Sequence, residues 1–296
     1  MRTAFVFSGG GSLGAVQVGM LQALSTRGIH PDVVVGTSAG SINAAFVAGH
    51  GDGARALAEL AELWVGMRRR DVFHTSLLGV ALAGMGRRSA LCSPEPLSGL
   101  LQEHLGFSLL EQALLPLHVL TTDLLTGEGV LLSSGEALQA LLASCAVPGI
   151  FPPVTWQGRL LCDGAFAVDS GIAHAVALGV DRVYLLPGGT ACALSEPPRH
   201  PVAVALHGVT LLLQRRVVTE SRVYARDVDL RVLPPLCPLA VSAADFEHAQ
   251  SLIARADEAT ARWLDSGADQ QPEPERFLGL HGHRRNPPPA PLPRPA

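Results

Sequence analysis

Apolar positions along the chain fall into short runs that alternate between strand and helix spacing, with glycine turns between them. Thr3 to Phe7 is a β-branched and aromatic run ending in Ser8-Gly9-Gly10-Gly11, after which Val16, Val18, Met20, Leu21 and Leu24 recur at helical spacing. Val33 to Val35 predicts a second strand, and Gly36-Thr37-Ser38-Ala39-Gly40 turns it into a helix through Ile42, Ala45 and Val47. The order β-α-β-α implies a parallel sheet with helices packed on its faces.

Farther along, the spacing predicts helices over Ala54 to Met67 and over Pro94 to Leu105, the second with proline near its start. Leu117 to Thr122 reads as a buried strand with Gly129 to Leu132 as its neighbour. A helix over Glu136 to Ala146 is stopped by Pro148-Gly149, and Phe151-Pro152-Pro153 forces an extended path. Leu160 to Cys162 reads as a strand, Ile172 to Leu178 as a helix and Val183 to Leu186 as a strand. Beyond Pro187 a long helix over Val202 to Arg226 is expected, then a capped one from Ser242 toward Trp263. The segment 271–296 holds eight prolines and few apolar anchors, which predicts a disordered tail behind a folded unit spanning 1–270. The fold class expected is α/β, a three-layer α/β/α domain with a mostly parallel central sheet.

Composition fits that class, since 48% hydrophobic residues in a chain of 296 can fill a sizeable core. The net charge is -4, and all 22 basic residues are arginine, with no concentrated basic run of the kind a nucleic-acid surface needs. Cys92, Cys145, Cys162, Cys192 and Cys237 are widely spaced and form no C-x-x-C pair, so neither a disulfide framework nor a zinc site is expected. They read as core residues in a reducing compartment. No apolar run reaches the roughly 18 residues that span a bilayer, and Gly9 to Gly11 interrupt the first run before any leader-like cleavage region, so a cytoplasmic location is expected. Arg68 to Arg70 and Arg87-Arg88 flank Phe73, Leu77, Leu78, Val80 and Leu82. That stretch reads either as a buried helix with solvated charged ends or as a peripheral contact with an anionic lipid surface.

Two motifs carry chemistry. Gly9-Gly10-Gly11-Ser12-Leu13-Gly14 satisfies G-x-G-x-x-G between a strand and a helix, which is also the dinucleotide-binding fingerprint. That fingerprint asks for an acidic residue at the end of the second strand, whereas Asp32 stands at its start. Gly36-x-Ser38-x-Gly40 is the elbow pattern in which glycines let the chain turn sharply and lift a serine hydroxyl to a helix N-terminus. Adjacent parallel strands would set the first turn beside this serine, where the N–H groups of Gly10, Gly11 and Ser12 could form an oxyanion hole. For a base, none of His174, His200, His207 and His248 has a catalytic context. Asp163, in Cys162-Asp163-Gly164-Ala165 on a turn after a short strand, is the better candidate.

Taken in order, these motifs resemble the patatin-like phospholipases. The signatures of that family are a glycine-rich turn, an N-terminal Gly-x-Ser-x-Gly elbow and a downstream Asp-Gly-Gly or Asp-Gly-Ala. Here they are matched by Gly9 to Gly14, Gly36 to Gly40, and Asp163, Gly164 and Ala165. Ser144 to Pro153 is similar to the segment before the family's aspartate, and the resemblance runs from Phe5 to Leu186. It implies a Ser38–Asp163 dyad, carboxylic ester hydrolysis on a lipid or other acyl-ester substrate, and neither metal nor cofactor. Transfer of the acyl group to an alcohol at the same site, and a nucleotide-binding protein, are the alternatives. Leu13 stands where many relatives carry arginine or lysine, and Gly171-Ile172 replaces a proline-containing segment.

Overall fold

β1 (Thr3–Phe7) and β2 (Val33–Thr37) are buried at every position, which is why neither run shows polar alternation. A computed structural model describes residues 1–75, 85, 88–167, 170–189, 192, 201–270 and 278–279. β1 pairs in parallel with β2 on one edge and with β7 (Arg182–Leu186) on the other. β2 then pairs in parallel with β3 (Leu117–Asp123), and β7 with β8 (Asp229–Val232). Beyond β3 the sheet turns antiparallel through β4 (Gly129–Leu132), β5 (Val154–Trp156) and β6 (Arg159–Asp163).

The helices are α1 (Ala15–Thr26), α2 (Ala39–His50), α3 (Ala54–Gly66), the single turn α4 (Arg69–Val72), α5 (Glu95–His104), α6 (Ala137–Ser144), α7 (Gly171–Ala177), α8 (Pro201–Tyr224) and α9 (Ala249–Asp265). Alternating strand residues feed two cores. Phe5, Phe7 and Val34 pack with α1, α2, α3, α5, α6 and α9 on one face; Ala4, Val6, Val33 and Val35 pack with α7 and α8 on the other. The three layers expected from the sequence are therefore present.

The pairing of β3 positions the site. Val119 and Leu120 pair with both β2 and β4, so those two strands lie on opposite edges of β3. Thr121 and Thr122 pair with both β4 and β6, so β6 must share the edge that β2 occupies. β2 and β6 therefore approach each other head-on along one edge, with Thr37 opposite Leu120 and Asp163 opposite Thr121. The residue after Thr37 is Ser38.

A chain of buried amides fastens the first helices to the strand ends. Trp64 Nε1 donates to Asn43 Oδ1 at 2.8 Å, and Asn43 Nδ2 donates to Gln17 Oε1 at 2.8 Å and to the Gly14 carbonyl at 2.9 Å. Gln17 Nε2 in turn donates to the Ser8 and Leu186 carbonyls at 2.7 and 2.9 Å. α3, α2 and α1 are thus tied to the ends of β1 and β7 through one fully satisfied network.

Several expectations are corrected. The helix expected from Ser242 begins at Ala249, and the intervening residues form turns. β5 and β8 were not expected as strands; each is short, and β8 carries charged residues at alternate positions that hide its pattern. Cys92, Cys145 and Cys162 are buried as expected, but Cys237 is exposed. Leu77, Leu78, Val80, Leu82 and Arg87 lie outside the described residues, as does the proline-rich tail apart from 278–279. No helix among the described residues is long and apolar enough to cross a membrane.

Replacing Asn43 with alanine strands Trp64 Nε1 and Gln17 Oε1 in a dry interior, at about 1 to 3 kcal/mol for each group. Asn43→Ala should lower unfolding free energy by about 3 kcal/mol in urea titrations; a loss under about 0.5 kcal/mol would contradict the network.

Candidate active site

Ser38 adopts φ 54 and ψ −131, a conformation that serine occupies only when its surroundings impose it. It stands between β2 and α2, where the chain must reverse within a residue. The two motif glycines make the reversal possible by close approach. A β-carbon on Gly36 would lie 2.4 Å from the Cα of Ser41, and one on Gly40 would lie 2.5 Å from the Ser8 carbonyl oxygen. Ser41 closes the turn by donating both its N–H and its hydroxyl to the Ser38 carbonyl, at 2.8 and 2.6 Å.

Head-on pairing brings Asp163 to this elbow. Ser38 Oγ donates to Asp163 Oδ2 at 2.6 Å, and both residues are buried. The other carboxylate oxygen accepts the Ala165 N–H at 2.8 Å. Thr122 Oγ1 donates to the Asp163 carbonyl at 2.8 Å, and Asp163 N–H donates to Ala146 at 3.0 Å, so the backbone under the carboxylate is fixed from two elements. Gly164 passes so close to β3 that a β-carbon would sit 2.1 Å from the Leu120 carbonyl oxygen. No histidine hydrogen-bonds to Ser38 or Asp163 among the described residues.

Sequence reasoning missed Ser144. Its hydroxyl donates to the Leu120 carbonyl at 2.7 Å and accepts the Ser38 N–H at 2.9 Å, coupling the strained residue to β3. The only available signal was its place at the start of the segment that ends at Pro153.

The glycine-rich turn lies against the elbow: a β-carbon on Gly9 would fall 3.1 Å from Ser38 Cβ and 3.7 Å from its Oγ. Gly10 packs on Gly188, and Gly11 has φ 57 with the Ala243 carbonyl directly beside it. No acceptor among the described residues takes the N–H of Gly10 or Gly11. Ser12 differs from the expectation. Its N–H goes to the Ala243 carbonyl at 2.8 Å and its hydroxyl to the Ser242 carbonyl at 3.0 Å, so the third expected oxyanion donor is already spent. Gly14 serves packing, its carbonyl held by Asn43 and its α-carbon under the Trp64 ring. Asp32, the residue nearest to a nucleotide-ribose acid, accepts the Thr3 N–H at 2.7 Å at the opposite end of the strands.

Burial dominates the electrostatics. Asp163 is pushed up to about 6 by desolvation, opposed by the hydrogen bonds from Ser38 and Ala165. The same burial, reinforced by the Asp163 charge, raises the Cys162 thiol to about 11 and the Cys145 thiol beyond it, so both stay neutral. An apolar cleft lies among α2, α3, α5 and α6, walled by Ile42, Phe46, Trp64, Leu100, His104 and Leu141. Ile42 is one helical turn beyond Ser38 on α2, and Leu141 one turn before Ser144 on α6.

The fold and this geometry define an α/β protein with a strained serine elbow facing a buried carboxylate. Residues 5–176, over half the chain, match the family model described as patatin-like phospholipase, and the chain belongs to that family. An uncharacterized NTE family protein of Mycobacterium tuberculosis is 31% identical over 55% of this chain and 42% of its own length. Lysophospholipase nte1 of Aspergillus terreus is 27% identical over 62% of this chain and 12% of its own. The chain therefore spans less than half the length of these curated relatives. Human GIVD cytosolic phospholipase A2, solved in complex with methyl gamma-linolenyl fluorophosphonate, is 12% identical with a TM-score of 0.47, over 94% of this chain and 60% of that one.

A carboxyl raised from 3.8 to about 6 holds its proton more tightly in the folded state than in the unfolded one. Its contribution to stability is thus greatest below pH 4 and is lost as pH rises through 6. Asp163→Asn, neutral and of the same shape, should be more stable than wild type at pH 8, by up to roughly 3 kcal/mol. The gain should fade toward pH 4 in paired thermal melts; equal gains at both pH values would rule out burial as the cause.

Proposed function

We propose that the protein hydrolyses carboxylic esters of lipids, with Ser38 as nucleophile and Asp163 as its general base. The observation that carries this reading is the 2.6 Å hydrogen bond from Ser38 Oγ to a buried carboxylate, at a strained elbow between β2 and α2. A carboxylate whose proton affinity is lifted by burial is a stronger base than an ordinary aspartate, and near neutral pH it is still ionised.

In the first half-reaction Ser38 Oγ attacks the ester carbonyl carbon as its proton passes to Asp163 Oδ2. Negative charge collects on the carbonyl oxygen, where the N–H groups of Gly10 and Gly11 and the N-terminus of α2 stabilise it. Collapse of the tetrahedral adduct expels the alkoxide, which leaves with the proton from Asp163, and the acyl group stays on Ser38. Water then attacks the acyl carbon, giving its proton to Asp163. The second adduct releases the fatty acid as that proton returns to Ser38. The apolar cleft along α2 supports an acyl chain as the group on the carbonyl side, because its walls offer contact area and almost no hydrogen bonds.

A fluorescent fluorophosphonate should label the wild type and leave Ser38→Ala unlabelled, while Asp163→Asn lowers kcat on p-nitrophenyl esters by about 10² to 10⁴. Since the base must be ionised to accept the proton, kcat/KM should rise with pH through about 6 and then level off. Undiminished labelling of Ser38→Ala would end the assignment. Leu100→Trp, at a half-buried wall of the cleft, should move the preferred p-nitrophenyl ester toward shorter chains; an unchanged chain-length profile would place the acyl chain elsewhere.

A further inference from the structure

The antiparallel end of the sheet reaches past the catalytic level. β3 runs from Leu120, level with the end of β2, to Asp123, about 10 Å farther at ordinary strand rise. There it turns through Leu124 and Leu125 into β4. These two leucines stand out into solvent, Leu124 at 42% exposure and Leu125 at 85%, the highest among the large hydrophobic residues described.

The exposure is built in. Asp123 Oδ1 accepts the N–H groups of Leu125 and Thr126 at 3.0 and 3.3 Å, and the Asp123 carbonyl accepts that of Gly127 at 2.8 Å. Asp123 N–H donates to Glu128, and Leu124 N–H donates to Leu160 on β6, at 2.9 and 2.8 Å. Every backbone N–H from Asp123 to Gly127 thus has an internal acceptor. With these donors held internally, the turn presents its two leucine side chains to solvent without also presenting an unpaired N–H.

Charge is placed beside it. Asp123 pairs with Leu161, so Arg159 is two residues farther along β6, on the same projecting end. Its side chain is exposed and makes no ion pair among the described residues. Glu128, also exposed, is the opposing charge at the base of the turn. Two held-out leucines with a free guanidinium beside them fit the apolar and phosphate layers of a phospholipid surface in that order.

We propose that this end of the sheet docks the protein on a phospholipid bilayer, with Leu124 and Leu125 in the acyl layer and Arg159 on lipid phosphate. Docked this way, the carboxyl end of β2, which leads into Ser38, points toward the membrane from which a lipid ester would come, and β6 runs back from Arg159 at the membrane to Asp163 at the site. Only that last consequence rests on the lipid-ester reading; docking is measured without turnover.

The experiment is flotation with vesicles of phosphatidylcholine and phosphatidylglycerol, comparing wild type, the double variant Leu124→Gln/Leu125→Gln, and Arg159→Gln. Wild type should float. The double variant should bind about tenfold more weakly. Arg159→Gln should lose binding mainly at low salt. All three should turn over a short-chain soluble ester at the same rate. As a second reading, Leu125→Trp should show fluorescence quenching by brominated phosphatidylcholine above the wild-type level. Flotation of the double variant equal to wild type, or no added quenching in Leu125→Trp, overturns the proposal. Soluble-ester turnover absent from a wild type that still floats would sink the hydrolase reading and leave the docking supported.

Discussion

The backbone of Ser38 is the constraint around which the rest is arranged. A serine at φ 54 and ψ −131 costs of order 1 to 3 kcal/mol, and it persists only where neighbours over-determine it. Here they come from three directions. Ser41 holds the carbonyl from within α2, Ser144 holds the N–H from α6, and Asp163 holds the hydroxyl from β6. Gly36 and Gly40 supply the room, and the amide chain of Trp64, Asn43 and Gln17 fixes the helices so that the room stays where it is. Strain and support are thus properties of the packing of the whole first core.

The carboxylate follows from the same packing. Asp163 is bonded to a hydroxyl and an amide, neither of them a cation, and desolvation outweighs both bonds. A group placed this way sits at an affinity for protons that water-exposed aspartates do not reach. The surrounding thiols of Cys145 and Cys162 respond to the same field and stay protonated.

Much of this was legible in the residues, and the limits are instructive. The strands β1 and β2 announce themselves because both their faces are buried, which leaves an unbroken apolar run, and the glycine-serine turns after them mark where the chain must bend. Asp163 was found by its turn. Ser144 was not, because a buried serine that bridges two backbone groups looks the same in sequence as any serine in a helix. The loss of Ser12 as a donor depended on Ala243, more than two hundred residues away, so no local pattern could carry it. The late start of α9 has a related cause: the residues after Ser242 serve as a platform for the glycine turn and never enter the helix. β8 escaped notice since Asp229 and Arg231 alternate with Leu230 and Val232, and the burial of Arg231 over the Tyr184 ring beside Asp269 depends on partners no local pattern shows.

The shared edge of β3 makes the strand a ruler. Ser38 and Asp163 arrive from stretches of chain more than a hundred residues apart, yet their separation is set by the spacing of two consecutive positions, Leu120 and Thr121. Length added to the connections between β2 and β3, or between β3 and β6, leaves that spacing alone. One residue inserted between Leu120 and Thr121 would instead shift the ladder by a pleat and turn the carboxylate to the other face of the sheet. Connections that leave Asn43, Trp64 and Ser144 in place can therefore change length, and with them the surface a substrate meets, so long as the graduation between those two residues is never edited.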